Sequence, residues 1–268
     1  MRRIVTTRYE VRTDKIEKKY KIAVLADLHM KTEEWRVKEI VSIIETEKPD
    51  FVLVAGDLIT TYPAAYAGVR GNFEWTIKIA GMMRQVAKNC KVFYVDGNHE
   101  IYLKESLDNA YFPAFERYQK ELHEAGVQVL HNESVRLDEQ VVLYGHEFSY
   151  EYYRRRGRVD MSTAEIVKAV GVPYKDIYTV LLTHDPTKFG VYADWGADLI
   201  VSGHMHGGVI RIGNRGLLGA DRTVFPRYCY GKYQKDDCTL IVTGGLGEHS
   251  IWKRIFNPPE VVIVNLVE

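Results

Sequence analysis

A chain of 268 residues, 46% of them hydrophobic, can bury a sizeable core and sits near the upper size of one α/β domain, so residues 1–268 read as a single domain. Lysine plus arginine equals aspartate plus glutamate at 36 each, so no global field draws the protein to nucleic acid or an anionic membrane, and any anion it binds must be recognised locally. Cys90, Cys229 and Cys238 lack C-x-x-C spacing, which argues against a zinc ribbon or a disulfide framework and fits a reducing cytoplasm; the charged start, MRRIVTTRYEVRTDKIEKKYK, predicts neither a signal peptide nor a membrane anchor.

Along the chain, KIAVLA (21–26) is a short β-rich apolar run. EEWRVKEIVSIIETEK follows, with Trp35, Val37, Ile40, Val41 and Ile44 at helical spacing, and Pro49 stops that helix. FVLVA (51–55) is the next strand, NFEWTIKIAGMMRQVAKN the next helix and KVFYV (91–95) the third strand. Near-continuous apolar strands alternating with helices predict a sheet covered on both faces. Further on, VQVLHN and QVVLYGHEFS predict strands separated by a polar turn, and MSTAEIVKAV predicts a helix capped by Ser162 or Asp160. Four more apolar runs close the chain: YTVLLTH, ADLIVSGHMH, CTLIVTGGLG and EVVIVNLV. The expected fold is α/β, with two packed mixed sheets flanked by helices. No internal repeat or low-complexity segment interrupts it.

The chemistry sits where the strands end. ADLH carries Asp27 and His29, AGDL carries Asp57, DGNHE carries Asn98 and His99, LTHDP carries His184, and SGHMHGG carries His204 and His206. Open α/β sheets gather ligands at such strand ends. In an extended segment, side chains two apart point the same way, so Asp27 with His29, and His204 with His206, could each pinch one ion. Two aspartates, one asparagine and four or five histidines suit Mn, Fe or Zn better than Ca or Mg alone. They are too many ligands for one tetrahedral site; two metals roughly 3.5–4 Å apart with a bridging carboxylate would use them all.

This ordered set, Asp-x-His, Gly-Asp, Gly-Asn-His-Glu, Thr-His and Gly-His-x-His, resembles the calcineurin-like metallophosphoesterase superfamily from Asp27 to His206. The tail GGLGEHSIWKRIFNPPEVVIVNLV further resembles the bacterial branch of YkuE- and YaeI-like phosphodiesterases. The resemblance implies that Asp27, His29 and His206 hold one metal, that Asn98, His184 and His204 hold the second, and that Asp57 bridges them. His99 would protonate the leaving oxygen or stabilise charge on phosphate. The implied activity is hydrolysis of a phosphate ester, expected to be a diester, by metal-bound hydroxide, with manganese the working metal in vitro. A non-catalytic metal-binding scaffold of the same fold and a nuclease are the rival readings. Relatives in this branch commonly carry GHTHGGQ, whereas Met205 and Val209 replace the threonine and glutamine here.

Other residues invite bland readings first. His123 lies in a helical pattern as a solvated position; His131 and His146 read as core or loop residues, with His146, ending a strand, also a candidate to face the site. His249 follows a glycine-rich turn and could touch substrate. RRRGR (154–158) beside FSYEYY could bind a phosphate-bearing ligand or form a solvated loop. TTYPAAYAGVRGNFEW (60–75) could be a lid over the metals or an ordinary loop. IWKRIFNPPE could graze a lipid surface or pack against its neighbouring strand; integral membrane association and nucleic-acid binding are not expected. The partner is a small-molecule, lipid or nucleotide phosphate ester.

Overall fold

A computed structural model describes residues 3–61, 74–105, 112–154, 159–208, 210–213, 215–219, 223–248 and 254–268. In chain order the first half runs β1 (Val5–Arg12), β2 (Tyr20–Leu25), α1 (Glu34–Glu47), β3 (Phe51–Val54), α2 (Glu74–Ala87), β4 (Lys91–Tyr94), α3 (Asn98–Glu105), α4 (Phe112–Glu124) and β5 (Val127–Val129). The second half runs β6 (Glu133–Arg136), β7 (Val141–His146), α5 (Tyr150–Arg154), α6 (Thr163–Val170), β8 (Tyr178–Thr183), α7 (Phe189–Trp195) and β9 (Leu199–Ser202). A short hairpin of β10 (Arg211–Ile212) and β11 (Arg215–Gly216) precedes β12 (Gly231–Lys235), β13 (Cys238–Val242) and β14 (Glu260–Val267).

The strands form two six-stranded sheets, ordered β1-β14-β2-β3-β4-β5 and β12-β13-β9-β8-β7-β6. Within the first, β2 through β5 run parallel; within the second, β13, β9, β8 and β7 do. The two sheets pack face to face over Val24, Leu53, Phe93, Leu143, Leu182 and Val201. Their outer faces are covered on one side by α1, α2 and α4, through Ile40, Met83 and Tyr118, and on the other by α6 and α7, through Ile166, Tyr192 and Trp195. Both faces of the central strands are therefore apolar, which is why the sequence shows unbroken runs rather than alternation.

Helix boundaries follow local chemistry. α1 ends on Lys48 in the left-handed region (φ 50°), one residue before Pro49, whose ring cannot continue the helix. Of the two caps expected for α6, Ser162 is the one used: its backbone N–H donates to the Glu165 carboxylate at 2.7 Å. Five strands lie outside the sequence expectation: the short β10, β11 and β12, and with them β1 and β6. β1 forms from the charged N-terminal stretch, an edge strand pairing β14 from the far end of the chain, and β6 occupies what reads as a polar turn. Both present polar side chains to solvent, so neither shows an apolar run.

Candidate metal centre

The loops that leave β2, β3, β4, β8 and β9 meet at one rim between the sheets. Asp27, His29 and His206 offer ligand atoms within 4.8 Å of one another, as do Asp57, His184 and His204; Asp57 also groups with His29 and His99. Asp27, Asp57 and His184 are essentially inaccessible to solvent.

The convergence does not come from extended backbone. Asp27 (φ 53°), His29 (φ 49°), Asp57 (φ 53°), His204 (φ 68°) and His206 (φ 51°) are all left-handed, a conformation that disfavours side chains bearing Cβ. The expectation that residues two apart share an ion therefore fails for the second histidine pair: turns send His206 to Asp27 and His29, and His204 to Asp57 and His184. Close approach of the loops requires glycine at Gly56 (φ 80°), where a Cβ would lie 2.6 Å from the Gly97 backbone and 2.7 Å from His184 Nδ1.

Hydrogen bonds fix which ring nitrogen is available. His184 Nδ1 lies 2.6 Å from the Ala55 carbonyl and His29 Nδ1 3.2 Å from that of Ile59. Carbonyl oxygens only accept, so each Nδ1 carries the proton and each Nε2 lone pair faces inward, the arrangement metal-ligating histidines commonly show. His184 Nε2 lies 3.2 Å from Asp57 Oδ2, and His29 Nε2 3.0 Å from His206 Nε2.

The donor set fits divalent cations on two observations. The Oδ2 of Asp27 is buried with no hydrogen-bond partner among the described residues. The side-chain oxygen of Asn98 faces only acceptors: Asp57 Oδ2 at 3.2 Å, His184 Nε2 at 3.1 Å and His204 Nδ1 at 2.8 Å. An amide turned over would donate to these atoms, but with the oxygen inward a cation reconciles them. Burial pushes the carboxyls of Asp27 and Asp57 up to about 7, so positive charge is needed to keep both ionised in neutral solution.

The calcineurin-like phosphoesterase family model matches residues 20–208, the span that contains every one of these groups. The chain belongs to the calcineurin-like phosphoesterase family. A relative from Aquifex aeolicus, described as an uncharacterized metallophosphoesterase, is 30% identical over 97% of this chain and 90% of its own length. One from Helicobacter pylori, with the same description, is 28% identical over 95% of this chain, which spans only 61% of that longer protein. A dimetal phosphatase from Danio rerio superimposes with a TM-score of 0.45 at 12% identity, over 84% of this chain and 87% of that one.

Around the centre of this phosphoesterase, several supporting residues are invisible to motif reading. Glu100, fully buried, accepts from the backbone N–H groups of Asp57 (2.9 Å), Gly97 (3.0 Å) and Ile59 (3.2 Å), tying two loops together. Asn257 donates to the carbonyls of His206 (2.6 Å) and Gly208 (2.9 Å). Arg254 Nη2 stands 3.4 Å from His206 Nδ1, and its Nη1 donates to the Gly244 carbonyl at 2.5 Å. Glu100 does belong to the GNHE block; Asn257 and Arg254 carry no signal beyond their place in the tail.

His99 is buried beside Asp57, its Nε2 3.9 Å from Asp57 Oδ2. Its Nδ1 accepts from the Thr61 backbone N–H at 2.9 Å. Of the remaining candidates, His146 is buried against the rings of Phe148 and Tyr192, and burial pushes it down to about 4, so it is a neutral packed imidazole. His123 is exposed on α4. Arg154 pairs with Glu151 at 2.7 Å. His249, Arg155 to Arg158, Val209 and the body of the lid candidate (62–73) lie outside the described residues. In the membrane-grazing candidate Phe256 is exposed while Arg254 and Asn257 are buried; among the described residues no helix is long and apolar enough to cross a membrane.

Proposed function

We propose that the protein is a cytoplasmic dinuclear phosphodiesterase, with Asp27, His29 and His206 serving one ion, Asn98, His184 and His204 the other, and Asp57 between them. The observation that carries the reading is the position of Asp57, within ligand reach of His29 on one side and of His184 and His204 on the other. Bound divalent ions such as Mn, Fe or Zn would bring a water's pKa towards neutrality and offset phosphate charge.

The chain's own residues do the rest. His184 and His29, anchored through Nδ1–H, hold their Nε2 atoms in fixed directions. His99 acts as a neutral donor: because the Thr61 N–H can only donate, Nδ1 is the acceptor and the ring proton sits on Nε2, facing the centre. From there it donates a hydrogen bond to a phosphoryl oxygen as charge builds. Full transfer of that proton would leave an imidazolate, so of the two roles implied by resemblance, charge stabilisation is favoured. The diester preference is supported by the resemblance of the tail to the phosphodiesterase branch. It is also supported by Arg254, which is buried with its Nη1 committed to the Gly244 carbonyl and so is not offered to the second negative charge of a monoester. The three cysteines without paired spacing support a reducing compartment.

The test is the rate of Mn-loaded protein on bis-p-nitrophenyl phosphate against p-nitrophenyl phosphate, with Asp57→Ala as control. Faster diester cleavage, abolished in the control, is the expected result. Faster monoester cleavage overturns the substrate class, and hydrolysis surviving in Asp57→Ala overturns the site.

A further inference from the structure

A second cluster of ligand-type side chains lies outside the centre just described and shares no residue with it. Asp96, fully buried at the end of β4, gives one oxygen to Gln119 Nε2 at 3.0 Å. Its other oxygen, Oδ2, is buried and has no hydrogen-bond partner among the described residues. Glu147, buried just after β7, accepts the Asp96 backbone N–H at 2.9 Å. His131, exposed after β5, places Nδ1 3.1 Å from both Glu147 oxygens and 3.8 Å from Asp96 Oδ2. One ligand atom from each of the three lies within 4.8 Å of the others, as in the groups around Asp27 and Asp57.

We infer that Asp96, Glu147 and His131 form a third divalent-cation site, separate from the dinuclear centre. The unpartnered Asp96 Oδ2 is the second observation that lifts this above an acidic cluster. The same signature, a buried carboxylate oxygen without a partner among ligand atoms, marks Asp27 in the family's own centre. Leaving such an oxygen unsatisfied in the interior costs about 1–3 kcal/mol or more. A proton on it would need an acceptor within reach, and none is in hydrogen-bond range among the described residues. Lys104 Nζ approaches Glu147 at 3.7 Å and its charge also acts on Asp96, yet it makes no hydrogen bond to Asp96 Oδ2.

Two carboxylates and one imidazole suit Mn, Zn or Fe; Ca would require more oxygens. Water completes the coordination, since the His131 side chain is 37% accessible and opens the cluster to solvent. The location gives the site a purpose. Asp96 follows β4 of the first sheet, two residues before Asn98, and Glu147 follows β7 of the second sheet. A cation shared between them would tie the two sheets together next to the start of α3, which carries Asn98 and His99.

The experiment counts manganese per chain by mass spectrometry after loading and desalting the full-length protein, His131→Ala, Asp57→Ala and the double variant. The expected result is one ion fewer in His131→Ala than in wild type, and one ion retained by Asp57→Ala but lost in the double variant. Circular dichroism verifies folding, and Glu147→Gln repeats the comparison if His131→Ala is unstable. Equal counts in wild type and His131→Ala overturn the site and leave a polar cluster of two carboxylates, the His131 ring and Lys104. Equal counts in wild type and Asp57→Ala would instead undo the dinuclear reading, and the His131 comparison would still be readable.

Discussion

Replacing His99 with alanine discriminates between two mechanisms that motif reading cannot separate. In the structure the ring is held by Thr61, whose N–H lies 2.9 Å and Oγ1 2.6 Å from Nδ1, and its Nε2 looks at Asp57 Oδ2 from 3.9 Å. A neutral, prealigned donor to a phosphoryl oxygen is worth on the order of 10²–10³ in kcat, about 2.7–4 kcal/mol. That loss is set by charge on the phosphoryl group and is indifferent to the leaving group. A general acid behaves otherwise: its removal is nearly silent when p-nitrophenolate departs and severe when an alkoxide must be protonated. Single-turnover rates of wild type and His99→Ala should therefore be compared on bis-p-nitrophenyl phosphate and on a diester with an alkyl leaving group, both Mn-loaded. Equal losses on the two substrates, within roughly threefold, are expected. A loss at least tenfold larger on the alkyl diester would show that His99 gives up its proton, and the tautomer argument would be wrong.

Asp57→Ala removes the carboxylate common to both ligand groups, so metal content should fall and hydrolysis should drop by at least about 1,000-fold, equivalent to about 4 kcal/mol, when both are measured on the same preparation. In metal-free protein, burial holds Asp27 and Asp57 at about 7, above their unfolded value of 3.8, so the folded state binds more protons between those limits. Stability of the chelated protein should then be greatest at or below about pH 4 as far as these groups are concerned and fall as pH rises to about 7. Melting curves in chelator at pH 5 and 7.5 should show the higher midpoint at pH 5, and excess Mn should abolish or reverse the difference. Glu100→Ala strands three buried backbone N–H groups, at about 1–3 kcal/mol each, so its midpoint should fall by roughly 10 °C or more; Glu100→Gln, which keeps an acceptor oxygen, should recover part of that loss.

The sandwich and its ligand-bearing strand ends were legible because buried parallel strands leave unbroken apolar runs and because Asp27, Asp57, Asn98, His184 and His204 each follow one of them. Part of what one-dimensional reasoning misses comes from pairing over long sequence separation. β1 pairs β14 across nearly the whole chain, and its polar, half-exposed side chains give no periodic clue. Glu147 belongs to no motif and stands beside the more conspicuous His146, yet packing makes His146 inert and Glu147 accepts the Asp96 backbone N–H. The period-two rule failed at the SGHMHGG stretch for a local reason: it assumes extended backbone, and His204 and His206 are left-handed.

That backbone strain also explains why so much of the surrounding loop architecture is polar and buried. A left-handed residue with a Cβ costs on the order of 1–2 kcal/mol, and five such residues at one rim would not persist unless neighbouring groups over-determined them. Glu100 gathers three loop N–H groups, Asn257 grips two loop carbonyls, and Asp27 and Asp57 accept the N–H groups of His204 (3.1 Å) and His99 (2.9 Å). Most of these bonds tie one segment of the rim to another, so the ligand directions are set by the protein frame before any ion arrives. The backbone bonds from the Asp27 N–H to the Gly56 carbonyl and from the His29 N–H to the Asp57 carbonyl couple the first two blocks in the same way. Variants at Glu100 or Asn257, far less conspicuous in the sequence than the histidines, should therefore disturb the site nearly as much as loss of a ligand.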